Sequence, residues 1–177
     1  GTGDDTLQIN GNNNINYNFE TIDIKNSAGT INLQANIATT IKINGKSYTI
    51  TSNDAQLMNY SLLDNLLDLN LENSSIVAQT NQNDNLKITG SKNTVNINSG
   101  DDNLKIIGDN NIIKASKNNK NVNVIGNNNN YSGSSDVDII NINGNSNTIS
   151  ANDGNDRIII HQGSENKILG GTGDDYI

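Results

Sequence analysis

Apolar and polar residues alternate over short stretches of this chain, and the stretches recur at a fixed interval in its C-terminal half. Two aliphatic residues stand just before a glycine in each repeat, as in Leu86/Ile88, Leu104/Ile106, Val122/Val124, Ile140/Ile142 and Ile158/Ile160. The glycines that follow, Gly90, Gly108, Gly126, Gly144 and Gly163, are spaced by 18, 18, 18 and 19 residues. Alternation with a period of two predicts β-strands, because successive side chains of a strand point to opposite faces.

Each 18-residue unit contains two similar halves of nine residues. Three residues after each glycine stands an asparagine, and we call this set the asparagine column: Asn93, Asn111, Asn129, Asn147 and Asn166. The same place in the other half belongs to the aspartate column: Asp84, Asp102, Lys120, Asp138, Asp156 and Asp175. Each half therefore predicts a short strand followed by a polar turn.

Such short strands cannot bury their apolar side chains alone, so they must stack on the same strands of the next coil. We expect an all-β, right-handed parallel β-solenoid of the β-roll type, with two short strands per coil and about nine coils. Residues 1–177 are predicted to form one domain. Irregular coils are expected over residues 1–50 and regular coils over residues 69–177.

Residues 51–68 interrupt the repeat and carry a different apolar pattern. Their large apolar residues recur at spacings of three and four, which is typical of an amphipathic helix: Leu57, Met58, Leu62, Leu63, Leu66 and Leu67. Ser52 or Asn53 could cap the N-terminus of such a helix. The sequence therefore predicts one short helical insertion over residues 51–68.

The composition narrows the possible functions. The chain has 39 asparagines, which is typical of low-complexity segments, but the regular repeat favours a folded protein over disorder. The absence of cysteine excludes disulfides, thiolate nucleophiles and cysteine-ligated metals. A net charge of −8 disfavours nucleic acids and anionic lipids and favours cations. We expect neither nucleic-acid binding nor membrane insertion.

Glycine and aspartate concentrate in the last turn. Residues 170–177 read GGTGDDYI, which matches the nonapeptide G-G-x-G-x-D-x-U of calcium-binding β-rolls, and residues 1–7 match from their second glycine onward. Here the sequence resembles the repeats-in-toxin (RTX) family of secreted bacterial proteins. The resemblance implies type I export, folding on contact with external calcium, and a secreted or cell-surface location.

Calcium prefers carboxylate and carbonyl oxygens, so the turns of the aspartate column are the candidate calcium sites. The most favoured turn contributes Asp153, Asp156, Gly171, Gly173, Asp174 and Asp175, the second adds Asp136 and Asp138, and the others offer Asp84, Asp102 and Asp5. Lys120 places an ammonium where a carboxylate belongs, so we expect no ion in its turn. We expect Lys120 to offset Asp102 and Asp138 instead. The alternative is that these aspartates serve only as turn formers.

The asparagine column is neutral and suits metal ions poorly. We expect its amides to hydrogen-bond to one another along the stack, as in cross-β ladders, rather than to bind metal or sugar. Strand alternation also predicts an outward-facing set that comprises Ile107, Ile125, Ile139, Ile159, Lys87 and Lys105. These isoleucines are either isolated surface residues or a docking stripe.

Catalysis is not expected. His161 is the only histidine and has no serine or cysteine partner at a recognisable spacing, and aromatic residues make up only 3% of the chain. The predicted function is a calcium-stabilised structural or adhesive module of a secreted or cell-surface bacterial protein, such as a stalk, filament or surface layer. The alternatives are a non-catalytic RTX module or β-helix domain of a carbohydrate-active enzyme, or a glycan-binding surface.

The two ends of the chain share the letters GTGDD, at residues 1–5 and 171–175. We therefore expect either a segment of a longer solenoid or a unit that stacks end to end on neighbouring copies of itself. The expected partners are Ca²⁺, such copies, and a glycan or other cell-surface ligand.

Overall fold

The protein is an all-β parallel solenoid of about 8 turns, about 18 residues apart. The computed structural model describes residues 6–10, 13–15, 20–25, 27–43, 45–63, 65–79, 81–118 and 120–177. The predicted fold class is therefore confirmed. Asp5 and the four residues before it lie outside the described residues.

Two sheets enclose a single hydrophobic core. The ten-stranded sheet contains, in spatial order, β1 (Thr6–Asn10), β3 (Thr21–Lys25), β5 (Ala38–Ile43), β6 (Lys46–Ser52), β9 (Ser74–Ala78), β11 (Thr94–Ile97), β13 (Ile112–Ala115), β15 (Asn130–Ser132), β17 (Thr148–Asp153) and β19 (Lys167–Thr172). The nine-stranded sheet contains β18 (Arg157–Gln162), β16 (Asp138–Asn143), β14 (Lys120–Ile125), β12 (Asp102–Ile107), β10 (Asn85–Thr89), β8 (Leu66–Asn70), β7 (Gln56–Leu63), β4 (Ala28–Leu33) and β2 (Asn13–Ile15).

The strand register follows the sequence repeat. Leu86 pairs with Leu104, and Leu104 pairs with Val122, so equivalent residues of successive coils lie side by side. The predicted aliphatic pairs are buried except at Ile160, with Ile88 and Ile106 at 0% exposure, and Tyr131 is also fully buried in the core. A fully buried aliphatic side chain contributes about 1.5–3 kcal/mol, so the alternating stripe is the main source of stability.

The last repeat departs from this pattern at one residue. Ile160 was expected to face inward but is 41% exposed, whereas Ile158 on the same strand is 1% exposed. Beyond β18 the described chain pairs Arg157 with Tyr176 only, so the next coil covers the start of the strand and not Ile160. The register also shifts after Ile142, where the extra residue of the repeat is accommodated.

The predicted helix at residues 51–68 is wrong, because the chain there forms strands. The strand β6 pairs antiparallel with β5 and β9, and β7 pairs antiparallel with β4 and β8. One coil of the solenoid is thus traversed in the opposite direction. This reversed coil accounts for the extra residues that separate the irregular and regular repeats.

Two tight turns produce the reversal. Two residues connect β5 to β6 and two connect β7 to β8, and the second residue of each connection, Gly45 and Asn65, has a positive φ of 81° and 65°. Two-residue hairpins favour Gly and Asn at such positions. Inside β7 the residues Met58, Tyr60 and Leu62 are buried, which is a period of two that the leucine spacing concealed.

The outer faces of the sheets carry the predicted outward set. Ile139 is 41% exposed, and Ile107, Ile125 and Ile159 are partly exposed. Lys87 forms an ion pair with Asp68, with 2.7 Å between Nζ and Oδ2. Within the described residues, no helix has the length and apolar content that crossing a membrane requires.

Candidate functional site

The asparagine column forms buried bridges between consecutive coils. The backbone N–H of Asn93, Asn111, Asn129 and Asn147 donates to Oδ1 of the next column member at 2.8–2.9 Å. Each Nδ2 donates back to a backbone carbonyl of the preceding coil, as from Asn129 to Gly108 O at 3.0 Å. The predicted amide-to-amide ladder is therefore wrong for this column. Its amides hydrogen-bond to buried backbone groups of the adjacent coils, which would otherwise have no partner.

Amide-to-amide contacts occur instead on the exposed outer surface. Asn145 Nδ2 lies 3.1 Å from Asn127 Oδ1, and Asn103 Nδ2 lies 3.3 Å from Asn85 Oδ1. These side chains stack on equivalent residues one coil away. The ladder pattern thus belongs to exposed asparagines outside the column.

The glycines are fixed by how closely the coils approach. A Cβ on Gly144, whose φ is 147°, would lie 1.9 Å from the carbonyl oxygen of Gly126. The same holds in the candidate calcium turn, where a Cβ on Gly171 would lie 1.6 Å from Asn152 O and Gly173 is equally crowded by a carbonyl. Backbone packing therefore explains the glycines in the turns of both columns, and no ion is needed to account for them.

The aspartate column repeats half of the asparagine arrangement. Oδ1 of Asp102, Asp138, Asp156 and Asp175 accepts a hydrogen bond of 2.8–3.0 Å from the backbone N–H of the preceding column member that the register brings beside it. The members from Asp84 to Asp156 are at most 4% exposed. The second oxygen takes the place of the asparagine NH₂ group but, when ionised, cannot donate. Each buried carboxylate therefore needs a donor or a positive charge.

Asp84 is contacted by two residues of the reversed coil. Tyr48 donates its hydroxyl to Asp84 Oδ1 at 2.6 Å, and Lys46 Nζ lies 3.7 Å from the same oxygen. Lys46 also donates to the carbonyl of Asn83. Burial, followed by the contact with Asp84, raises the pKa of Tyr48 well above its ordinary value.

Asp102 is served by Lys120. Lys120 Nζ lies 2.8 Å from Asp102 Oδ2, and both side chains are 2% exposed. The prediction that Lys120 offsets the charge of Asp102 is confirmed. The ammonium does not contact Asp138, which accepts a hydrogen bond from the backbone N–H of Lys120 instead. Burial raises the pKa of Asp102, and the lysine acts in the opposite direction.

Asp138 is served by neutral donors. Ser134 donates its N–H to Oδ2 at 2.8 Å and its hydroxyl to Oδ1 at 2.9 Å, and the Tyr131 hydroxyl lies 3.4 Å from Oδ2. Burial raises the pKa of Asp138, and the Ser134 hydrogen bonds lower it in part. Oδ2 of Asp138 thus accepts a hydrogen bond from a neutral donor, and no cation is needed there.

Asp156 differs from the other buried carboxylates of the column because no lysine or side-chain donor among the described residues reaches it. It is 1% exposed, and its Oδ2 has no hydrogen-bond partner there. Oδ2 of Asp84 and of Asp102 also lacks a hydrogen bond, but a lysine lies beside each of these two carboxylates. Burial raises the pKa of Asp156, and the negative charges of Asp175 and Asp153 raise it further. This turn therefore concentrates negative charge around a buried oxygen that lacks a donor.

The other predicted ligands already bridge coils through hydrogen bonds. Asp153 Oδ1 accepts from Thr172 Oγ1 at 2.6 Å, Asp136 Oδ2 accepts from the Asn118 N–H at 2.7 Å, and the Asp174 N–H donates to an asparagine side chain. In the described part of the chain, no three His, Cys, Asp or Glu side chains form a group that could hold a metal. The structure brings Asp153, Asp156 and Asp175 close enough to interact electrostatically, and it does the same for Asp84 with Asp102.

Sequence reasoning missed the residues that satisfy the column. Lys46 and Tyr48 approach Asp84 only because β6 runs in reverse, and the sequence carries no local signal for that contact. Ser134 was visible as a turn residue four positions before Asp138, where a serine can donate to a following carboxylate.

Comparison of the chain with protein-family models, with curated proteins and with solved structures finds no match in any of the three. The fold and the two columns define the class of the protein, which is a parallel β-solenoid built from 18-residue coils.

Proposed function

We propose that this chain is a structural β-solenoid module whose C-terminal coils are stabilised by a calcium ion at Asp156. One observation carries the proposal: Asp156 Oδ2 is buried without a hydrogen-bond partner, and no lysine or side-chain donor among the described residues reaches this carboxylate. The other buried carboxylates of the column, Asp84, Asp102 and Asp138, each have a lysine or a hydroxyl donor beside them. A buried carboxylate without a partner is costly unless a positive charge or a proton neutralises it.

The chemistry of the donors fits calcium. Asp153 and Asp175 each use Oδ1 in a hydrogen bond, and their second oxygens carry none among the described residues. Calcium accepts six to eight oxygens from carboxylates, backbone carbonyls and water in flexible geometry. Because the described carboxylates do not form a ready-made group of three ligands, Asp156 Oδ2 would be the anchoring ligand, and backbone carbonyls and water would complete the coordination. The nearby charges of Asp153 and Asp175 would favour the ion, which would supply the positive charge that this turn lacks.

The mechanical role follows from the stack. Ten strands about 4.8 Å apart make a sheet on the order of 45 Å long, and the asparagine column ties its coils together. A calcium-dependent rod suits a surface layer, stalk or adhesin outside the cell, where calcium reaches about 10⁻³ M. The aspartate-rich turn that resembles RTX repeats supports the same location.

Thermal unfolding by circular dichroism tests the proposal. The melting temperature should be higher in calcium at about 1 mM than in EGTA, and magnesium at the same concentration should give a clearly smaller rise, because magnesium loses its waters reluctantly. The Asp156→Asn protein should show no calcium-dependent rise.

Asp101→Asn is the matched control, since it removes one negative charge from an exposed residue in another turn of the aspartate column. It should keep the full response to calcium. A melting temperature of the original protein that is the same in calcium and EGTA would contradict the proposal.

A further inference from the structure

The ammonium of Lys120 lies inside a cage of oxygen atoms contributed by two consecutive turns. Nζ donates to Gly100 O at 2.5 Å, to Lys117 O at 2.6 Å and to Asn98 O at 3.2 Å. It also lies 2.8 Å from Asp102 Oδ2, at 2% exposure of the lysine side chain. Three carbonyl dipoles and one carboxylate therefore converge on a single positive charge.

The same set of groups is what a free cation would require. Carbonyl and carboxylate oxygens are the ligands of hard cations, and three of these four belong to the turn that precedes that of Lys120. The charge thus joins one coil to the next. Lysine donates up to three hydrogen bonds, so an ammonium fits the three carbonyls.

We propose that this cage is a cation-binding site that the chain fills with its own tethered ammonium. The site then binds a small primary ammonium ion from solution once the lysine side chain is truncated. The inference is independent of the calcium proposed at Asp156, because it concerns another coil and is tested in EGTA.

The test is the thermal unfolding of Lys120→Ala in EGTA with and without n-propylammonium chloride, which has the atoms that the substitution removes. Loss of the ammonium leaves Asp102 buried and unpaired, and we expect the melting temperature to fall by about 10 °C. Propylammonium should restore part of this loss in a saturable manner, since a ligand of the folded state raises its stability. Sodium chloride at equal ionic strength should not.

Lys105→Ala is the matched control, because Lys105 is exposed on the neighbouring strand β12. It should change the melting temperature little and should not respond to propylammonium. Equal responses of both variants, or no response of Lys120→Ala, would overturn the proposal.

A measurement on the unaltered protein covers the case in which Lys120→Ala does not fold. Reductive methylation of the native protein followed by peptide mass spectrometry should leave Lys120 unmodified while Lys105 reacts fully. Modification of both lysines at the same rate would show that the ammonium is not enclosed and would overturn the proposal.

Discussion

The backbone N–H of Asn129 donates to Oδ1 of Asn147 at 2.8 Å, one coil further along the chain. The same Asn147 side chain returns a hydrogen bond from Nδ2 to Gly126 O at 3.0 Å. One buried amide thus satisfies an N–H and a carbonyl of the preceding turn. Repetition of this unit along the column fixes the spacing and register of the coils.

Replacing Asn129 by alanine should be strongly destabilising. The substitution leaves the Asn111 N–H and the Gly108 carbonyl unpaired inside the stack. Each unsatisfied buried group costs about 1–3 kcal/mol, so the free energy of unfolding should fall by about 3 kcal/mol. Denaturation in guanidinium chloride measures this. Asn130→Ala, at the adjacent exposed position, should cost less than about 0.5 kcal/mol, and equal losses would contradict the role of the column.

The stability of the protein without calcium should rise as the pH is lowered from neutral toward the ordinary carboxyl range. Folding raises the pKa of Asp102, Asp138 and Asp156 chiefly by burial. A group whose folded pKa is raised stabilises the fold below its unfolded pKa and loses that contribution as the pH rises through the folded value.

Chemical denaturation in EGTA near pH 7 and near pH 5 measures this dependence. Asp156→Asn should flatten part of it, because its amide does not titrate and can donate as the asparagine column does. A free energy of unfolding that increases with pH over this interval would refute the assignment.

Gly144→Ala should prevent or severely weaken stacking. The added Cβ would lie 1.9 Å from the Gly126 carbonyl oxygen at a φ of 147°. A clash with the backbone of the adjacent coil cannot be relieved by a rotamer change, so we expect a loss above about 4 kcal/mol. Gly45→Ala is the comparison, since a Cβ there meets nothing within 4 Å and the substitution costs only the strain of the positive φ, about 1–2 kcal/mol. Comparable losses in denaturation would contradict the packing argument.

Tyr48→Phe tests the contact between the reversed coil and the aspartate column. It removes the hydroxyl that donates to Asp84 at 2.6 Å, and a hydrogen bond to a charged group contributes about 2 kcal/mol. Tyr60→Phe is the matched control, because the buried Tyr60 hydroxyl has no hydrogen-bond partner among the described residues. Its removal should leave the free energy of unfolding unchanged or raise it. A control that loses as much as Tyr48→Phe would count against the Tyr48 to Asp84 bond.

The regular coils were predictable because every local signal repeats in them. Leu86 and Ile88 alternate with polar residues, and the glycine that follows recurs in register, so strand, turn and stacking agree. The aspartate column was predictable by position for the same reason. Which of its members lacks a lysine or a side-chain donor was not predictable, because Lys46 and Lys120 reach Asp84 and Asp102 from other coils. Ser134, in the same turn as Asp138, is the exception.

The reversed coil shows where periodicity is ambiguous. Leucines at spacings of three and four fit a helix, yet Met58, Tyr60 and Leu62 also stand two apart and face the core in β7. The neighbouring strands decide between helix and strand for this segment. As a strand, β7 lies between β4 and β8 and pairs with the edges of both. An isolated amphipathic helix would leave those strand edges unpaired.

The sequence by itself determined the class of fold, the length of the coil and the residues that face the core, because these follow from local periodicity and from the steric needs of a stacked turn. Only the tertiary structure decided the direction of the coil that contains β6 and β7. It also decided the hydrogen bonds of the asparagine column and which buried carboxylate has neither a lysine nor a side-chain donor beside it. The contacts of the asparagine column, of Asp84 with Tyr48 and of Asp102 with Lys120 join residues 18 or more positions apart. Burial makes each missing donor there costly, and the sequence pattern does not show which residue supplies it.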